Sequence, residues 1–312
     1  MAFRRFVRDP FNDLGFGSKV VEPNQRLMNK DGSSNVRKQG IPFSRAISFY
    51  HELITMKWWK FSLLIFIGYL VVNLIFTCLY YFGDIIHIGG QIAHTPFESF
   101  MEAFFFSTQT LSTVGFGRLN PEGLYDSAIA AIESMTGLLS FALATGLLYG
   151  RFSRPEAHLL FSNNAIIAPY RDGRGLMFRF GNIRKSQLLE VEAEVNLALV
   201  EDENGTPVRR FLPLELERKR VSILSMTWTV VHPINDQSPI AQWTSGDFEK
   251  YNCELIVIIK AFEETFSQTV YARTSYRPHE ILCDKRFVPV IAAGPNGSVI
   301  IELDKLHAYE DV

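Results

Sequence analysis

Residues 61–83 read FSLLIFIGYLVVNLIFTCLYYFG and contain no Asp, Glu, Lys, Arg or His. A helix needs roughly 20 apolar residues to cross the hydrocarbon core of a membrane, so this stretch predicts a transmembrane helix over about 61–83. A secretory signal peptide would end in a small-residue cleavage site, which this stretch lacks. A buried helix of a soluble protein would not need so long a charge-free run.

A second apolar run predicts another transmembrane helix over about 124–150. From Ser127 to Gly150 its only charged residue is Glu133. A carboxyl group inside a membrane is costly, so Glu133 is expected to face protein or water rather than lipid. Gly137 and Gly146 lie among small and apolar residues, which allow a membrane helix either to pack closely or to bend.

The composition of the 312-residue chain limits its functional class. The formal net charge is −2 and the pI is about 6.4, whereas a nucleic-acid binder is normally basic. Its three cysteines cannot form a disulfide framework, and none has the spacing of a zinc site. Catalytic Ser-His-Asp order, metal spacing and phosphate loops are all missing from the sequence, so neither an enzyme nor a cofactor is expected.

Basic residues orient the two predicted helices. Lys57 and Lys60 precede the first helix, Arg151 and Arg154 follow the second, and Arg118 is the only Lys or Arg in between. The positive-inside rule therefore predicts that both termini are cytoplasmic and that the loop between the helices lies outside. The four flanking residues also suggest a basic belt that attracts anionic lipid headgroups, by about 1 kcal/mol each. Simple anchoring explains them equally well.

The loop between the helices contains the sequence TPFESFMEAFFFSTQT, residues 95–110. Thr95 suits a helix cap, Pro96 suits the first turn, and Glu98 favours the positive end of the helix dipole. This helix, predicted over about 96–109, is apolar but too short to span a membrane. It is expected to be a re-entrant helix packed between the two spanning helices.

The segment Thr113-Val114-Gly115-Phe116-Gly117 follows directly and decides the functional prediction. Its two glycines alternate with larger residues, and glycine tolerates backbone conformations that other residues resist. Alternating geometry of this kind can aim successive carbonyl groups at one axis. With the Thr113 hydroxyl, these carbonyls can replace the hydration shell of a monovalent cation. A glycine-containing turn at an interface is the alternative interpretation.

This segment resembles TVGYG, the selectivity filter of potassium channels, with Phe116 in place of Tyr. The resemblance implies K⁺ binding at Thr113, Val114, Gly115 and Phe116. One chain supplies only a quarter of each carbonyl ring, so a homotetramer is implied.

The remaining residues, 155–312, are predicted to form a β-sandwich. Between residues 186 and 199, apolar residues alternate with Glu190, Glu192, Glu194 and Asn196, which is the pattern of a half-buried strand. Many short strands separated by turn residues are typical of a β-sandwich. The other predicted strands are Arg174–Phe180, Ile223–Val231, Glu254–Lys260, Phe287–Ile291 and Ser298–Leu303.

Nearly the whole chain resembles an inward-rectifier potassium channel of the prokaryotic type. The motifs that carry the resemblance are DLGFG (13–17), FYH (49–51), WW (58–59), the filter, RFSRP (151–155), GNIRKS (181–186), VHP (231–233) and SY (275–276). The family fold implies a membrane α-helical pore of two transmembrane helices and a re-entrant pore helix, followed by a C-terminal cytoplasmic immunoglobulin-like β-sandwich. The implied parts are a cytoplasmic N-terminal segment (1–42), an interfacial slide helix (43–56), a transmembrane pore domain (57–154) and the β-sandwich (155–312).

The stretch 43–56 supports this assignment independently, because its apolar residues follow the spacing of an amphipathic helix. Trp58 and Trp59 come next and suit the membrane interface as aromatic anchors. A helix packed on a protein surface is the alternative interpretation of the same pattern.

The resemblance also assigns roles along the pore. Filter support is assigned to Gln109, Thr110, Ser112 and Glu133, the inner pore and gate to Phe141, Thr145 and Tyr149, and a hinge to Gly137 or Gly146. Many relatives carry a Glu at position 109, so the neutral Gln109 is expected to alter filter stability or conduction. Tyr149 stands where relatives place a bulky constriction, which can close a pore by dewetting it.

Acidic residues in the pore would hold Mg²⁺ or polyamines and cause inward rectification. Glu190 and Glu264 match cytoplasmic pore positions that are acidic in strong rectifiers. Phe141, however, stands where those members carry Asp, and Arg218-Lys219-Arg220 adds positive charge. The resemblance therefore supports K⁺ conduction, with Mg²⁺, Ba²⁺ or polyamines as blockers, more than strong rectification.

Two other functions stay open at this point. One is a non-conducting membrane receptor whose β-domain binds a partner, and the other is a weakly selective cation channel, because Gln109 and Phe116 depart from the common filter pattern.

The chain also lacks the lysines that follow the second helix in phosphoinositide-regulated members. A bacterial inner membrane is therefore the expected location.

Overall fold

The computed structural model describes residues 15–17, 22, 25–36, 49–82, 87–153, 157–184 and 186–312. The chain divides into two compact units. One unit, the helical unit, comprises residues 39–154, and the other, the β-unit, combines residues 1–38 with residues 155–312.

The described part of the helical unit contains α1 (Phe49–Thr55), α2 (Trp58–Phe82), α3 (Pro96–Leu111) and α4 (Leu124–Phe152). Helices α2 and α4 have 25 and 29 residues and are apolar enough to cross a membrane. At about 1.5 Å per residue, each exceeds the roughly 30 Å thickness of a hydrocarbon core.

The helix ends differ slightly from the predicted ones. Helix α2 begins at Trp58 rather than Phe61, so Lys60 lies within its first turn. A lysine at a helix end can extend its charged head toward water. Helix α4 runs past Gly150 to Phe152, and α3 ends at Leu111 rather than Gln109. Residue 83 of the first predicted span and residues 43–48 of the predicted slide helix lie outside the described residues.

Helix α3 begins with a complete capping box. The Thr95 hydroxyl accepts a hydrogen bond from the Glu98 backbone N–H at 3.2 Å, and the Glu98 carboxylate accepts one from the Thr95 backbone N–H at 3.1 Å. Pro96 occupies the first turn. These contacts satisfy N–H groups that a helix start leaves free, so the local sequence fixes where the helix begins.

A short antiparallel ribbon joins the segments before and after α3. Strand β1 (His87–Gly89) pairs with β2 (Asn120–Glu122). The helical unit has a core in which Phe76 and Tyr80 of α2, Ile88 of β1, Ala103 and Phe106 of α3, and Leu119 are buried together. The segment that follows residues 113–117 is thereby attached to both α2 and α3.

The β-unit contains the remaining strands of the described residues and the short helix α5 (Ser245–Lys250). The strands are β3 (Leu159–Phe161), β4 (Ala165–Tyr170), β5 (Gly173–Asn182), β6 (Leu188–Glu203), β7 (Thr206–Pro213), β8 (Arg220–Leu224), β9 (Thr227–Ile234), β10 (Glu254–Glu263), β11 (Gln268–Tyr276), β12 (Ile281–Cys283), β13 (Lys285–Phe287), β14 (Ile291–Ala293), β15 (Val299–Ile301) and β16 (Tyr309–Asp311).

Two five-stranded sheets dominate this unit. The first has the order β11-β10-β6-β7, with β8 also paired to β6, and the second has the order β12-β4-β5-β3, with β9 paired to β5. One core lies between them, with Phe178 and Phe180 from the second sheet and Leu197, Leu255 and Tyr276 from the first. Two largely antiparallel sheets packed face to face confirm the predicted β-sandwich.

Two predicted strands are wrong. The stretch Ile223–Val231 is not one strand, because β8 pairs with β6 in the first sheet and β9 pairs with β5 in the second, so the chain crosses between the sheets at residues 225–226. The stretch Phe287–Ile291 falls mostly between β13 and β14, and it contains Pro289, which has no N–H to donate to a ladder. Apolar periodicity does not reveal which sheet a strand joins.

A β-bulge changes the alternation of β6. Lys260 pairs with Glu192, but Phe262 pairs with Leu189, so β6 contains one extra residue here. Glu190 in this stretch has a φ of 49°. An extra residue switches the face of the side chains beyond it, and Leu188 is consequently buried in place of Leu189.

The described part of the N-terminal segment packs on the β-unit. The backbone N–H groups of Leu27 and Met28 donate to the buried Glu254 carboxylate at 2.7 and 3.0 Å. Arg26 forms an ion pair with Glu280 at 3.0 Å. Residues 25–36 are thus part of the compact β-unit.

Candidate functional site: the filter segment and the inner helix

The backbone of the filter segment alternates between two conformations. Thr113, Gly115 and Gly117 have φ angles of 59°, 53° and 86°, whereas Val114 and Phe116 are not in this left-handed region. Glycine enters that region freely, but Thr113 does so at a cost of about 1–2 kcal/mol. Residues of positive φ that alternate with residues of ordinary φ turn successive carbonyl groups toward the same side. The carbonyl oxygens and the Thr113 hydroxyl are therefore the groups that suit a monovalent cation.

The C-terminal end of α3 holds the start of this segment. The Gln109 carbonyl accepts hydrogen bonds from the N–H groups of Val114 at 2.9 Å and Gly115 at 3.3 Å, and the Thr110 carbonyl accepts one from Thr113 at 3.1 Å. The Ser112 hydroxyl donates to the Thr108 carbonyl at 2.6 Å. Gln109 and Thr110 contact the filter segment through backbone carbonyls, so these contacts do not depend on their side chains.

The side chains of the filter segment are exposed in the single chain. Val114 is 55% exposed and Phe116 is 78% exposed. An aromatic ring beside two spanning helices is rarely left in the open, and irregular backbone at membrane depth is tolerated only where protein or a water-filled cavity surrounds it. The segment is thus incomplete in one copy of the chain.

The described residues contain no group of three or more His, Cys, Asp or Glu that could hold a metal ion.

Glu133 joins three helices behind the filter segment. Its carboxylate accepts hydrogen bonds from the Tyr80 hydroxyl of α2 at 2.8 Å and from the Ser107 hydroxyl of α3 at 2.5 Å. Ser107 Oγ also lies 3.2 Å from Asn73 Oδ1 of α2. Glu133, Ser107 and Asn73 have no exposed surface. The carboxylate faces protein rather than lipid and fixes the pore helix against both long helices.

Gly137 and Gly146, the two hinge candidates, have different surroundings. A Cβ atom at Gly137 would lie 2.0 Å from the Leu111 carbonyl oxygen, so α4 approaches the backbone of α3 there. A Cβ atom at Gly146 would meet nothing within 4 Å. Close packing with the pore helix therefore explains Gly137, and Gly146 is left as the hinge candidate.

Phe141, Thr145 and Tyr149 lie on one face of α4, because residues four apart are neighbours on a helix surface. All three are exposed in the single chain, Phe141 by 75% and Tyr149 by 73%. A single copy thus presents two aromatic rings, one above the other, from the same helix face.

Arg151, one of the four predicted belt residues, binds protein groups. The Arg151 guanidinium donates to the Leu53 and Met56 carbonyls at the end of α1, both at 2.7 Å, and lies 4.5 Å from the Trp58 ring centre. Its hydrogen bonds are therefore directed at protein rather than at lipid headgroups.

Two further lysines and Trp59 remain available at this end of the helices. Lys57 and Lys60 are exposed, and Lys60 Nζ lies 5.6 Å from the centre of the exposed Trp59 ring. Arg154 lies outside the described residues.

The two cytoplasmic acid candidates are both exposed. Glu190 lies at the β6 bulge and pairs with Arg220 of β8 at 2.6 Å. Glu264 lies in the turn between β10 and β11. The positive charge of Arg220 is thus placed directly against one of the two acids.

Sequence reasoning missed Tyr80 and Ser107, the partners of Glu133, and the other buried polar residues of α2. Asn73, Thr77 and Tyr80 are buried residues of α2 with polar groups, at spacings that place them on one helix face. Three polar groups on one face of a spanning helix indicate a contact with other polar residues, because polar groups in a membrane need partners. Ser107 gave no comparable signal within the apolar pore helix.

Comparison with known proteins identifies the family. Residues 28–155 match the family model of the inward rectifier potassium channel transmembrane domain, and residues 159–312 match the inward rectifier potassium channel C-terminal domain. The inward rectifier potassium channel Kirbac3.1 of Paramagnetospirillum magnetotacticum is 37% identical over 295 residues, which cover 93% of this chain and 98% of that protein.

Of two more distant matches, one belongs to the same family and the other is too dissimilar to inform the fold. The human G protein-activated inward rectifier potassium channel 2 is 31% identical over 317 residues, which cover 92% of this chain and 72% of that protein. A solved chain of the Pseudomonas fluorescens DNA glycosylase AlkC matches with 10% identity and a TM-score of 0.20 over 62% of this chain and 49% of that chain, a likeness too weak to bear on the fold. The two family models and the high coverage of the bacterial relative confirm the resemblance seen in the sequence, and the chain belongs to the inward rectifier potassium channel family.

Proposed function

We propose that four copies of this chain form a K⁺-selective channel with the filter Thr113-Val114-Gly115-Phe116-Gly117. The observation that carries the proposal is the alternating backbone of Thr113, Gly115 and Gly117, directly after a re-entrant helix and between two helices long enough to span. K⁺ binds to the carbonyl oxygens of Thr113, Val114, Gly115 and Phe116, which replace its hydration shell. Fourfold symmetry completes each ring and covers the exposed Phe116.

The gate lies at the exposed face of α4. Four Tyr149 rings around one axis form an apolar constriction, and such a constriction excludes water when it is narrow. Phe141 and Thr145 line the cavity above it, and Gly146 permits α4 to bend because its surroundings are open.

The same proposal covers location and ligands. Both termini are cytoplasmic and the channel lies in a bacterial inner membrane, in agreement with the distribution of Lys and Arg and with the bacterial relative. Anionic lipids contact Lys57 and Lys60, which are exposed. The channel is not an enzyme and needs no cofactor; Mg²⁺, Ba²⁺ and polyamines act as blockers.

The test is Rb⁺ uptake into liposomes that contain the purified protein and a K⁺ gradient. We expect uptake that Ba²⁺ blocks and external Na⁺ does not. Gly115→Ala should abolish the preference for Rb⁺ or the flux itself, because alanine resists a φ of 53°. Gly68→Ala in α2 is the matched control, since a Cβ there meets no neighbour and Gly68 lies outside both the filter and the gate.

The outcomes separate the alternative functions. Uptake that Na⁺ inhibits strongly in the wild type would indicate a weakly selective cation channel. A stable tetramer that is inactive both as wild type and as Tyr149→Ala would contradict channel function and favour a receptor.

A further inference from the structure

Arg118 follows the last filter residue, Gly117, and connects three separate segments. Its Nη1 atom lies 2.9 Å from Glu102 Oε1 in α3 and 3.0 Å from the Gly90 carbonyl oxygen in the loop after β1. The same Glu102 carboxylate accepts a hydrogen bond from the Ile92 N–H at 3.2 Å. One ion pair thus links the pore helix, the end of the filter segment and the loop between β1 and α3 (residues 90–95, the outer loop).

The outer loop also packs directly on the backbone of Arg118. Gly90 has a φ of 79°, and a Cβ atom there would lie 1.9 Å from the Arg118 carbonyl oxygen. The next residue, Leu119, is buried in the core of the helical unit, and β2 follows in the ribbon with β1. The chain beyond the filter is therefore held by backbone, apolar and charged contacts at successive residues.

The two ends of the filter are held in different ways. Backbone hydrogen bonds to the Gln109 and Thr110 carbonyls fix its first residues, whatever side chains stand at those positions. Just beyond its last residue, the charged contact depends on the side chains of Arg118 and Glu102. Selectivity depends on where the carbonyl oxygens stand, so the position of Gly117 matters for the same reason as that of Thr113.

The environment of the pair makes its two charges interdependent. The Glu102 side chain is only 11% exposed, whereas that of Arg118 is 52% exposed. Arg118 is also the only Lys or Arg between residues 61 and 150. A mostly buried carboxylate that loses its cation is left uncompensated, and this is far more disruptive than loss of an exposed pair.

We propose that the Glu102–Arg118 ion pair is an outer brace that positions the exit of the filter and sets its preference for K⁺ over Na⁺. Both are positioning residues, because they act on the ion through the backbone of Gly117. The inference rests on the proposed function. A purely structural role, anchoring the outer loop, would affect stability but leave ion preference unchanged.

The experiment uses the full chain in liposomes and measures Rb⁺ uptake at increasing external Na⁺. The variants are Glu102→Gln, Arg118→Met, the double variant and Arg118→Lys. Glutamine keeps the volume of Glu102 and a carbonyl acceptor for Ile92, so it removes mainly the charge. Glu98→Gln is the matched control, because Glu98 is another pore-helix glutamate whose described contacts are with the helix cap at His94 and Thr95.

We expect each single variant to lose about tenfold in preference for Rb⁺ over Na⁺, in keeping with loss of a charge-assisted hydrogen bond. The double variant should be no worse than either single one, because both remove the same interaction. Arg118→Lys should recover much of the preference, and Glu98→Gln should behave as the wild type.

Three results would overturn the brace: unchanged ion preference in both single variants, losses that add in the double variant, or an equal loss in Glu98→Gln. Oligomeric mass and thermal stability are measured in parallel. If Glu102→Gln fails to assemble, the comparison of Arg118→Met with Arg118→Lys decides, because Arg118 is half-exposed. These results presuppose an active wild type; a wild type without Ba²⁺-sensitive uptake contradicts the proposed function itself.

Discussion

Gly137 and Gly146 illustrate how two glycines of one helix can serve different purposes. The sequence suggested a hinge or close packing for both, and only the neighbouring atoms separate them. Gly137 touches the pore helix at the Leu111 carbonyl oxygen, whereas Gly146 has open space around it. The packing contact depends on a residue far away in the chain, so no local pattern could have indicated it.

We predict that Gly137→Ala destabilises the channel by about 1–3 kcal/mol, because the added methyl group would force α4 away from α3. Gly146→Ala should be neutral or slightly stabilising, since alanine is the better helix former by about 1 kcal/mol. Thermal unfolding of the detergent-solubilised tetramer measures both. Equal midpoints for the two variants would contradict the packing argument.

His232 gives the β-unit a pH-dependent stability. Its Nδ1 and Nε2 atoms lie 2.6 Å from the Glu215 carbonyl oxygen and 2.7 Å from Ser238 Oγ. Burial lowers the pKa of His232, and burial also lowers the pKa of His307. The unfolded chain therefore takes up protons more readily, so stability is complete above about pH 6.5 and falls as the pH drops below it.

Thermal unfolding between about pH 7.5 and pH 5.5 tests this sign. The wild type should lose stability toward the acidic end, and His232→Gln together with His307→Gln should flatten the dependence. A wild type whose unfolding temperature rises on acidification would show that these histidines gain, rather than lose, protons on folding.

At the scale of elements, Arg179 of β5 holds the C-terminal segment in place. Its guanidinium donates to the carbonyls of Leu306 at 2.7 Å, Val288 at 2.6 Å, Lys305 at 2.6 Å and Ala308 at 3.1 Å. The residue is buried, and burial lowers the pKa of Arg179 to about 10, so it stays charged at neutral pH. One buried side chain thus donates to four backbone carbonyls of the C-terminal segment.

We predict that Arg179→Lys costs about 2–3 kcal/mol, because a single ammonium group cannot replace the planar fork of donors. Hydrogen exchange of residues 285–311 should accelerate more than elsewhere. Arg286→Lys is the matched control: Arg286 pairs with Glu310 at 3.0 Å in the same segment but is exposed, so the change should cost less than about 1 kcal/mol. Equal exchange in both variants would rule out the special role of Arg179.

The strands show where element prediction succeeds. The alternation in residues 191–195 is preserved in β6, with Val191, Ala193 and Val195 buried. It breaks at the Glu190 bulge and again at Asn196, which is buried and donates to Glu194 at 3.0 Å. Strands β7 and β11 were not predicted at all. Their places are set by pairing with β6 and β10, which local periodicity does not encode.

At the scale of the whole molecule, the single chain exposes apolar and irregular segments that assembly would cover. The exposed rings include Phe116, Phe141 and Tyr149. We predict that the purified protein has the mass of four chains, since one copy supplies a quarter of each carbonyl ring. A monomer that conducts would contradict this geometry.

The gate is tested at the same scale. Tyr149→Ala should increase Rb⁺ uptake several-fold, because four methyl groups leave a wider and wetter pore than four rings. Tyr149→Phe keeps the rings and should conduct as the wild type. Unchanged uptake in Tyr149→Ala would place the constriction elsewhere.

The sequence by itself determined the two spanning helices, the capped pore helix and the filter segment. Each is set by a short stretch of chain. The spanning helices need a charge-free run, the pore helix needs a cap with its partner three residues away, and the filter segment has Gly115 and Gly117 at two of its three left-handed positions. Only the tertiary structure decided which groups Glu133 binds, why Gly137 is a glycine, that Arg151 turns to the carbonyls of α1, and that Arg118 meets Glu102. These contacts join residues far apart in the chain, and their free energy depends on burial and distance, which exist only once the chain has folded.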